Sequence, residues 1–217
     1  MTITGLIIDS DTQVGDGGFL KLRRLVLRNR RDDGTASAAY TCDAVVRPYG
    51  QDAVVVVIYA LGTGEPQVLV RDGLRPAITL GRDPARAPLP EPAPGLFVTE
   101  LVAGIIETGD HGVDGLARRA AAETYEEAGF VVPPGAFVPL GAGTLPSPGC
   151  LVEKYYFMAV EVDPSAQQIL GGDGSPMEEG ATTRWLPLEA ALAACVSGEL
   201  ADLKTELGLR RLRDHLA

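Results

Sequence analysis

The sequence contains few cysteines, and none of them form a recognisable pair. Cys42, Cys150 and Cys195 are far apart along the chain, and no CxxC spacing occurs. A disulfide framework needs a larger, regularly spaced set of cysteines, and a cysteine zinc site needs closely paired ones. The pattern therefore argues against both kinds of site and favours a protein of the reducing cytoplasm.

Long apolar runs are also missing. No stretch approaches the roughly 20 residues that a helix needs to cross a bilayer. The N-terminal MTITGLIIDSDTQ has neither a basic region nor a long apolar stretch, so we expect neither a membrane span nor a secretory signal peptide. The composition, with 46% hydrophobic and 22% charged residues, is that of an ordinary globular protein.

Positive charge is scarce, because 19 Lys and Arg stand against 29 Asp and Glu, for a net charge of −10. Nonspecific nucleic-acid binding requires clustered cations on the phosphates, so we expect no nucleic-acid partner. An anionic substrate would need cations to mediate its binding. The densest basic stretch, KLRRLVLRNRR at residues 21–31, is compatible with a strand that has a solvated arginine edge, with an anion-facing edge or with a subunit contact.

The sequence does contain interleaved strand and helix patterns without regular βαβ spacing. Residues 18–31 and 38–47 predict a hairpin around DDGTAS, and residues 82–95, with five prolines, predict an extended loop. Further strands are predicted at 52–60, 66–74, 96–104, 150–163 and 182–188, and helices at about 115–128, 188–196 and 200–216. We expect Asp114 to cap the first of these helices and Gly129 to end it. The interleaving predicts an α+β fold, with a mixed sheet between helices.

The helix at 115–128 crowds three carboxylates together. Glu123, Glu126 and Glu127 lie within little more than one turn, where like charges repel. Mg²⁺ prefers carboxylate and carbonyl oxygens and bridges them to substrate phosphates. The spacing is therefore compatible with a magnesium site, and also with a solvated acidic helix face.

The stretch GIIETGDHGVDGLARRAAAETYEEAGF, residues 104–130, resembles the Nudix box G-x5-E-x7-R-E-U-x-E-E-x-G-U, in which U is aliphatic or aromatic. The matching positions are Gly104, Asp110 in place of the first glutamate, Glu123, Glu126, Glu127, Gly129 and Phe130. The segments TELVAG, SPGCLVEKYYFMAVEVD and GELADLKTELGLRRLRDHL are similar to parts of ADP-ribose pyrophosphatases and nucleoside diphosphate sugar hydrolases. The resemblance spans residues 46–217, which we expect to form a Nudix hydrolase domain. Residues 1–45 are expected to form a separate antiparallel β-strand region that mediates dimerisation.

Three departures from the box leave two interpretations open. Ala122 replaces the box arginine, Thr124 replaces an aliphatic residue, and the interval from Asp110 to Glu123 is four residues longer than the pattern, with HGVDG as the expected bulge. In one interpretation Arg119, one turn before Glu123, takes the place of the missing arginine. In the other, the box and its activity have decayed.

The resemblance also implies a metal site and a general base. It implies Mg²⁺, or Mn²⁺, held by Glu123 and Glu127 with help from Glu126 and the backbone carbonyl of Ala103. It further implies a general base on the loop SPMEEG. Glu179 is the first candidate and Glu178 the second, and a solvated acidic loop is the alternative.

Five residues are implied as substrate contacts: Arg75, Glu100, Gly104, Ser147 and Glu153. Arg75 faces the phosphates or is a surface cation. Glu100 faces the metal cluster or the sugar, or pairs with an arginine. Ser147 and Glu153 flank the SPG turn, which is expected near the terminal ribose.

The implied function is Mg²⁺-dependent hydrolysis of the pyrophosphate linkage of ADP-ribose or a related nucleoside diphosphate sugar. The products are a nucleoside monophosphate and a sugar phosphate, and the resemblance implies a cytoplasmic homodimer. GDP-mannose or UDP-glucose is an alternative substrate. A non-catalytic ADP-ribose-binding Nudix sensor is the alternative from another class, which the acidic charge and the lack of a recognisable helix-turn-helix disfavour.

Overall fold

The computed structural model describes residues 3–15, 18–47, 49–62, 64–170, 172 and 174–217. The chain forms two compact units, one of Met1–Asp52 with Thr144–Lys154 and one of Ala53–Gly143 with Tyr155–Ala217. The sequence placed a boundary after residue 45 and kept all later residues in one domain. The structure instead extends the N-terminal unit to Asp52 and adds Thr144–Lys154 to it.

The N-terminal unit is an antiparallel sheet of three strands. These are β1 (Ile3–Val14), β2 (Lys21–Arg31) and β3 (Tyr40–Val46), in the order β1-β2-β3. The predicted hairpin is confirmed as the β2–β3 pair. At its turn, the side chain of Asp33 accepts a hydrogen bond from the backbone N–H of Thr35 at 2.9 Å, and Gly34 has a φ of 83°, which glycine adopts without strain.

The arginines of the basic stretch form ion pairs across this sheet. Strand β2 lies between β1 and β3, so three of its arginines can pair with aspartates on the strands at either side. The pairs are Arg23–Asp11, Arg24–Asp43 and Arg28–Asp9. Because these pairs are exposed to solvent, water screens them and they add little to the stability of the sheet.

The segment Thr144–Lys154 belongs to this unit through specific contacts. The backbone N–H of Val45 donates to the carbonyl of Cys150 at 2.8 Å. Arg47 Nη2 lies 2.6 Å from Glu153 Oε1 in a largely buried ion pair. These contacts join residues that are far apart in sequence, so no local pattern in the sequence indicates them.

The second unit is built on a seven-stranded mixed sheet. Its strands are β4 (Ala53–Ala60), β5 (Gln67–Leu74), β6 (Phe97–Glu100), β7 (Val102–Ile105), β8 (Val138–Pro139), β9 (Tyr155–Glu161) and β10 (Thr182–Pro187). The order is β10-β5-β4-β9-β8, with β6 paired to β5 and β7 paired to β4. Strands β4 and β9 are parallel, and the other pairs are antiparallel.

Helices cover both faces of this sheet. After α1 (Pro76–Gly81), a short helix with no buried residue, these are α2 (Gly112–Ala128), α3 (Leu188–Ser197) and α4 (Leu203–Leu216). Every residue of β4 is buried. Its side chains alternate between a core shared with α2 and a core shared with α3 and α4. Because each fully buried aliphatic side chain contributes about 1.5–3 kcal/mol, this two-sided core stabilises the unit. The predicted α+β class, with a mixed sheet between helices, is confirmed.

The segment 96–104, predicted as one strand, is broken at Leu101. Strand β6 before the break pairs with β5, and β7 after it pairs with β4. Leu101 packs in the core beneath α4, and its backbone N–H donates to Thr205 Oγ1 at 2.9 Å. The break therefore places Glu100 beside β5 and the Ala103–Gly104 backbone beside β4.

Helix α2 begins earlier than predicted. It starts at Gly112, after His111, and Asp114 lies in its first turn and does not cap it. A carboxylate in the first turn is favourable because of the helix dipole. The expected bulge HGVDG is in fact largely the first turn of a continuous helix. The predicted end is confirmed, since Gly129 has a left-handed φ of 73°, and small residues line the buried face: Gly115, Ala117, Ala120, Thr124 and Ala128.

Within the described ranges, no helix combines the length and the apolar character that a membrane span requires.

The unusual Thr124 yields a prediction about stability. Its side chain is fully buried, and its hydroxyl has no hydrogen-bond partner. Since an unsatisfied buried hydroxyl is costly, we expect Thr124→Val to raise the free energy of unfolding by about 1 kcal/mol, measured by urea denaturation. Thr205→Val is the matched control and should lower stability, because the buried Thr205 hydroxyl bonds Leu101 and Asp202. Unchanged or lower stability of Thr124→Val would contradict the prediction.

Candidate functional site

Two glutamates of α2 lie against strand β7. Glu127 Oε2 accepts a hydrogen bond from the backbone N–H of Ala103 at 3.2 Å. Glu123, one turn earlier, lies directly over Gly104, where a Cβ atom would be 1.8 Å from Glu123 Oε1. Glycine at this position therefore provides the space that the Glu123 carboxylate occupies. The structure brings together Glu123, Glu127, Ala103 and Gly104 from the predicted site.

Burial raises the pKa of both carboxyls. The pKa of Glu123 rises to about 8, first because of burial and then because of the charges of Glu127 and Glu126. Burial also raises the pKa of Glu127 to about 7, although Arg71 opposes the shift. Glu126 itself is partly exposed. The site thus holds two acidic groups in a place with little water, where a bound cation would favour their charged forms.

The cation that the structure places there is Arg71, which the sequence analysis missed. Arg71 lies on β5 and is only 3% exposed. Its Nη1 is 2.9 Å from Glu127 Oε1, and its Nη2 is 3.5 Å from Glu178 Oε1. A signal was present, because arginine inside the apolar run QVLVRDGL is rarely buried without a partner.

Of the two loop glutamates, the structure brings Glu178 to the cluster and leaves Glu179 exposed. Glu178 ends a short 3₁₀ turn, Pro176–Glu178, and its side chain is 19% exposed and faces Arg71. Its charge also raises the pKa of Glu123 and Glu127. Glu179 is exposed to solvent. Of the two candidates for the general base, Glu178 is therefore the one that lies beside the cluster.

Arg119 reaches the carboxylate cluster from the preceding turn of α2. Its Nη1 lies 3.9 Å from Glu123 Oε1, its Nε donates to Asp110 Oδ2 at 3.0 Å, and its Nη2 lies 2.9 Å from Glu107 Oε1. Ala122 has no charge to offer at the position of the box arginine. These contacts favour the interpretation in which Arg119 replaces that arginine.

Glu100 is the centre of a second buried ion cluster. It is 3% exposed, forms an ion pair with Arg75 and accepts a hydrogen bond from Lys204 Nζ at 2.6 Å. Lys204 also lies 3.0 Å from Asp202. Burial alone would lower the pKa of Lys204, but the charges of Glu100 and Asp202 outweigh it and raise that pKa. Of the interpretations left open for Glu100, pairing with an arginine is the one that the contacts show.

Lys204 was not predicted, and Ser147 and Glu153 belong to the other compact unit. Lys204 stands among several charges in GELADLKTEL, so nothing in the local pattern separates it from a surface lysine. Ser147 and Glu153 belong to the N-terminal unit, where Glu153 pairs with Arg47. The Ser147 carbonyl accepts the backbone N–H groups of the turn that follows it, including that of Leu151 at 2.8 Å.

The donor chemistry of the cluster fits a divalent cation, although its present arrangement does not form a complete site. Glu127 is buried and Glu123 is largely buried, with Arg119 Nη1 3.9 Å from Glu123 Oε1. Both oxygens of Glu127 are engaged, by Arg71 and by the Ala103 N–H. Among residues that the structure describes, no three His, Cys, Asp or Glu side chains are grouped so that they could hold a metal ion. A metal would have to reorganise the partners of Glu127.

The raised pKa values predict that the metal-free protein loses stability as the pH rises. In the unfolded chain these carboxyls lose their protons near the ordinary pKa of 4.5, whereas in the folded protein Glu123 and Glu127 keep them to about 8 and about 7. Between these values the folded state binds more protons than the unfolded state, so the free energy of unfolding falls with rising pH.

Urea denaturation in EDTA at several pH values across this window measures the effect. Glu123→Gln is the control, because it removes the larger shift and should flatten the slope. Carboxyls with a lowered pKa, such as Asp72, lose their protons below this pH range and therefore do not affect the slope of stability within it. A stability that is flat or rises from pH 4.5 to 8 in the unmodified protein would contradict the prediction.

Comparison with known proteins bears on the fold. No family model matches the sequence, and no curated protein matches it significantly. Among solved structures, an ADP compounds hydrolase is similar over 100% of this chain and 96% of its own, with a TM-score of 0.65 and 12% identity. At this identity the likeness establishes the fold alone, and it confirms the predicted Nudix fold.

Two further structures are similar over about three quarters of the chain. The NUDIX domain of Shewanella oneidensis NrtR complexed with ADP ribose matches 77% of this chain and 89% of its own, with 16% identity and a TM-score of 0.49. A C. elegans Ap4A hydrolase matches 76% of this chain and 98% of its own, with 16% identity and a TM-score of 0.43. At these TM-scores the likeness carries no inference about the chain.

Proposed function

We propose that the protein is a Nudix hydrolase that cleaves the pyrophosphate linkage of a nucleoside diphosphate sugar, with ADP-ribose as the first candidate. The observation that carries the proposal is the pair Glu123 and Glu127, which lie against the Ala103–Gly104 strand. The pair occurs in a fold shared with an ADP compounds hydrolase. The products are a nucleoside monophosphate and a sugar phosphate.

Mg²⁺, or Mn²⁺, is the proposed cofactor. Glu123 and Glu127 are its proposed ligands, with Glu126 and the carbonyl of Ala103 in support. When bound, such an ion neutralises diphosphate oxygens and makes a coordinated water more acidic. Arg119 supports this assignment, because it contacts Glu123 from the preceding turn and holds Asp110 and Glu107 at the start of the helix.

Glu178 is the proposed general base, with Glu179 as the weaker candidate. A base must come within hydrogen-bond reach of the proton that it removes, and Glu178 is the loop carboxylate that faces the cluster. Its side chain accepts the proton of the attacking water at a carboxylate oxygen. Arg71 holds this carboxylate beside α2 and keeps it in place.

Arg75 is the proposed contact for the substrate diphosphate. Its side chain is 36% exposed, so it can meet a ligand while Glu100 anchors it from the buried side. Glu100 thereby acts through Arg75 and Lys204, and Gly104 acts by making room for Glu123.

The ribose contacts of Ser147 and Glu153 stay predictions, as do the homodimer, the cytoplasmic location and the lack of a nucleic-acid partner.

A substrate panel tests the proposal. Purified protein is incubated with ADP-ribose, GDP-mannose or UDP-glucose, with Mg²⁺, with Mn²⁺ or with EDTA, and the products are separated by chromatography. We expect AMP and ribose 5-phosphate from ADP-ribose, and no product in EDTA. Glu127→Gln should abolish turnover, whereas Glu199→Gln, at an exposed position, should not.

Two outcomes would contradict the proposal in different ways. A clear preference for UDP-glucose or GDP-mannose would change the proposed substrate but leave the proposed reaction, hydrolysis of the pyrophosphate linkage, unchanged. Tight binding of ADP-ribose without release of AMP in either metal would identify a non-catalytic binding protein.

A further inference from the structure

Both carboxylate oxygens of Glu127 are already occupied by partners from the protein. Oε1 lies 2.9 Å from Arg71 Nη1, and Oε2 accepts the Ala103 N–H at 3.2 Å. Glu127 is 8% exposed and Arg71 is 3% exposed. Water therefore screens the pair poorly, and the attraction between the two charges is stronger than at a surface.

A second cation on Glu127 has to compete with this guanidinium. A divalent ion bound to the carboxylate would lie within a few ångströms of Arg71, and like charges at that distance repel strongly in a poorly solvated place. The Ala103 N–H bond opposes no cation, because the donor is neutral and the second lone pair of the oxygen stays free. The competition is therefore between the metal ion and Arg71 alone.

Arg71 has other carboxylates within reach when it leaves Glu127. Its Nη2 already lies 3.5 Å from Glu178 Oε1. A Cβ placed on Gly73 would be 3.1 Å from Arg71 Nη1 and 2.7 Å from Glu100 Oε1, so the guanidinium and Glu100 approach each other over this glycine. The Nε of Arg71 is buried and has no hydrogen-bond partner, which shows that the present position does not satisfy the whole group.

We propose that Arg71 is a built-in counter-ion of Glu127 that a divalent cation must displace, so that Arg71 sets the metal affinity of the site. The inference rests on the proposed function, because it takes Glu127 as a metal ligand. Before metal binds, the guanidinium contacts the buried carboxyl group and holds it in position. After metal binds, the guanidinium pairs with Glu178 and Glu100.

Metal binding to Arg71→Met tests the proposal without any measurement of turnover. Mn²⁺ binding is measured by electron paramagnetic resonance on the unmodified protein, on Arg71→Met and on the control Arg184→Met. Arg184 lies on the neighbouring strand β10 and pairs with Asp72. We expect Arg71→Met to bind Mn²⁺ about tenfold more tightly, because removal of a nearby positive charge favours the cation. The control should bind as the unmodified protein does.

The outcomes separate this inference from the proposed function. If the unmodified protein binds Mn²⁺ and Arg71→Met binds it equally or more weakly, the counter-ion role is wrong and the metal site stands. If neither protein binds Mn²⁺, the proposed metal-dependent function fails and the inference fails with it.

A second measurement needs no variant, in case Arg71→Met does not fold. Crystals of the unmodified protein are soaked with MgCl₂, and the separation of Arg71 Nη1 and Glu127 Oε1 is compared with 2.9 Å. A metal on Glu127 with the guanidinium beyond hydrogen-bond distance supports the proposal. A metal on Glu127 with the contact intact overturns it, and no metal at Glu127 in a fully soaked crystal overturns both proposals.

Discussion

Glu178→Gln is expected to lower kcat for ADP-ribose hydrolysis by about 10²- to 10⁴-fold, the usual contribution of a general base. Glutamine keeps the size of the side chain and its contact with Arg71, but it does not take up a proton. Substrate binding should change little, so the loss should appear in kcat more than in KM. Steady-state kinetics with saturating Mg²⁺ measures both values.

Glu179→Gln is the matched control for this experiment. It makes the same chemical change at the next residue, whose side chain is exposed, and kcat should stay close to that of the unmodified protein. The reverse result, with Glu179→Gln inactive and Glu178→Gln active, would restore the order inferred from the sequence. It would also mean that the loop moves when substrate binds.

Gly104→Ala is expected to lower kcat/KM by about 10²-fold, the size of effect that follows from displacing a reacting group by about 1 Å. The added Cβ would overlap Glu123 Oε1, Cδ and Cγ, at 1.8, 1.9 and 2.5 Å. Since these atoms belong to a long side chain, Glu123 moves and the strand stays. We therefore expect weaker Mn²⁺ binding and lower activity in a protein that remains folded.

Gly109→Ala provides the control for Gly104→Ala. Gly109 lies in the loop between β7 and α2, and a Cβ there meets no atom within 4 Å. Neither glycine has a positive φ, so neither substitution strains the backbone. Gly104→Ala with normal metal affinity and normal kcat/KM would contradict the prediction. It would show that metal binding and activity do not depend on the position of the Glu123 carboxylate over Gly104.

Local patterns were enough to predict the hairpin of the N-terminal unit and the acidic helix of the second unit. Period-two alternation located the β2–β3 hairpin, and the glycine after Ala128 located the end of α2. The spacing of Glu123 and Glu127 placed them on one face of the helix. These features depend on residues that are close in sequence, so the sequence carries them directly.

The features that were missed depend on contacts between distant residues. Thr144–Lys154 joins the N-terminal unit through pairing with β3 and Arg47, which no local pattern records. The choice between Glu178 and Glu179 depends on how one 3₁₀ turn directs two adjacent side chains. A buried ion pair at Arg71 was predictable from a charge in an apolar run, but the identity of its partner, Glu127, was not.

The central strand of the second unit has a consequence for how the protein is made. Strand β4 begins at Ala53, whereas its parallel partner β9 begins at Tyr155. During synthesis the apolar run AVVVVIYA leaves the ribosome long before the segment that covers one of its edges. Pairings of such large sequence separation form slowly, and an uncovered valine-rich strand invites self-association in the meantime. Slower synthesis at low temperature should therefore increase the yield of folded protein.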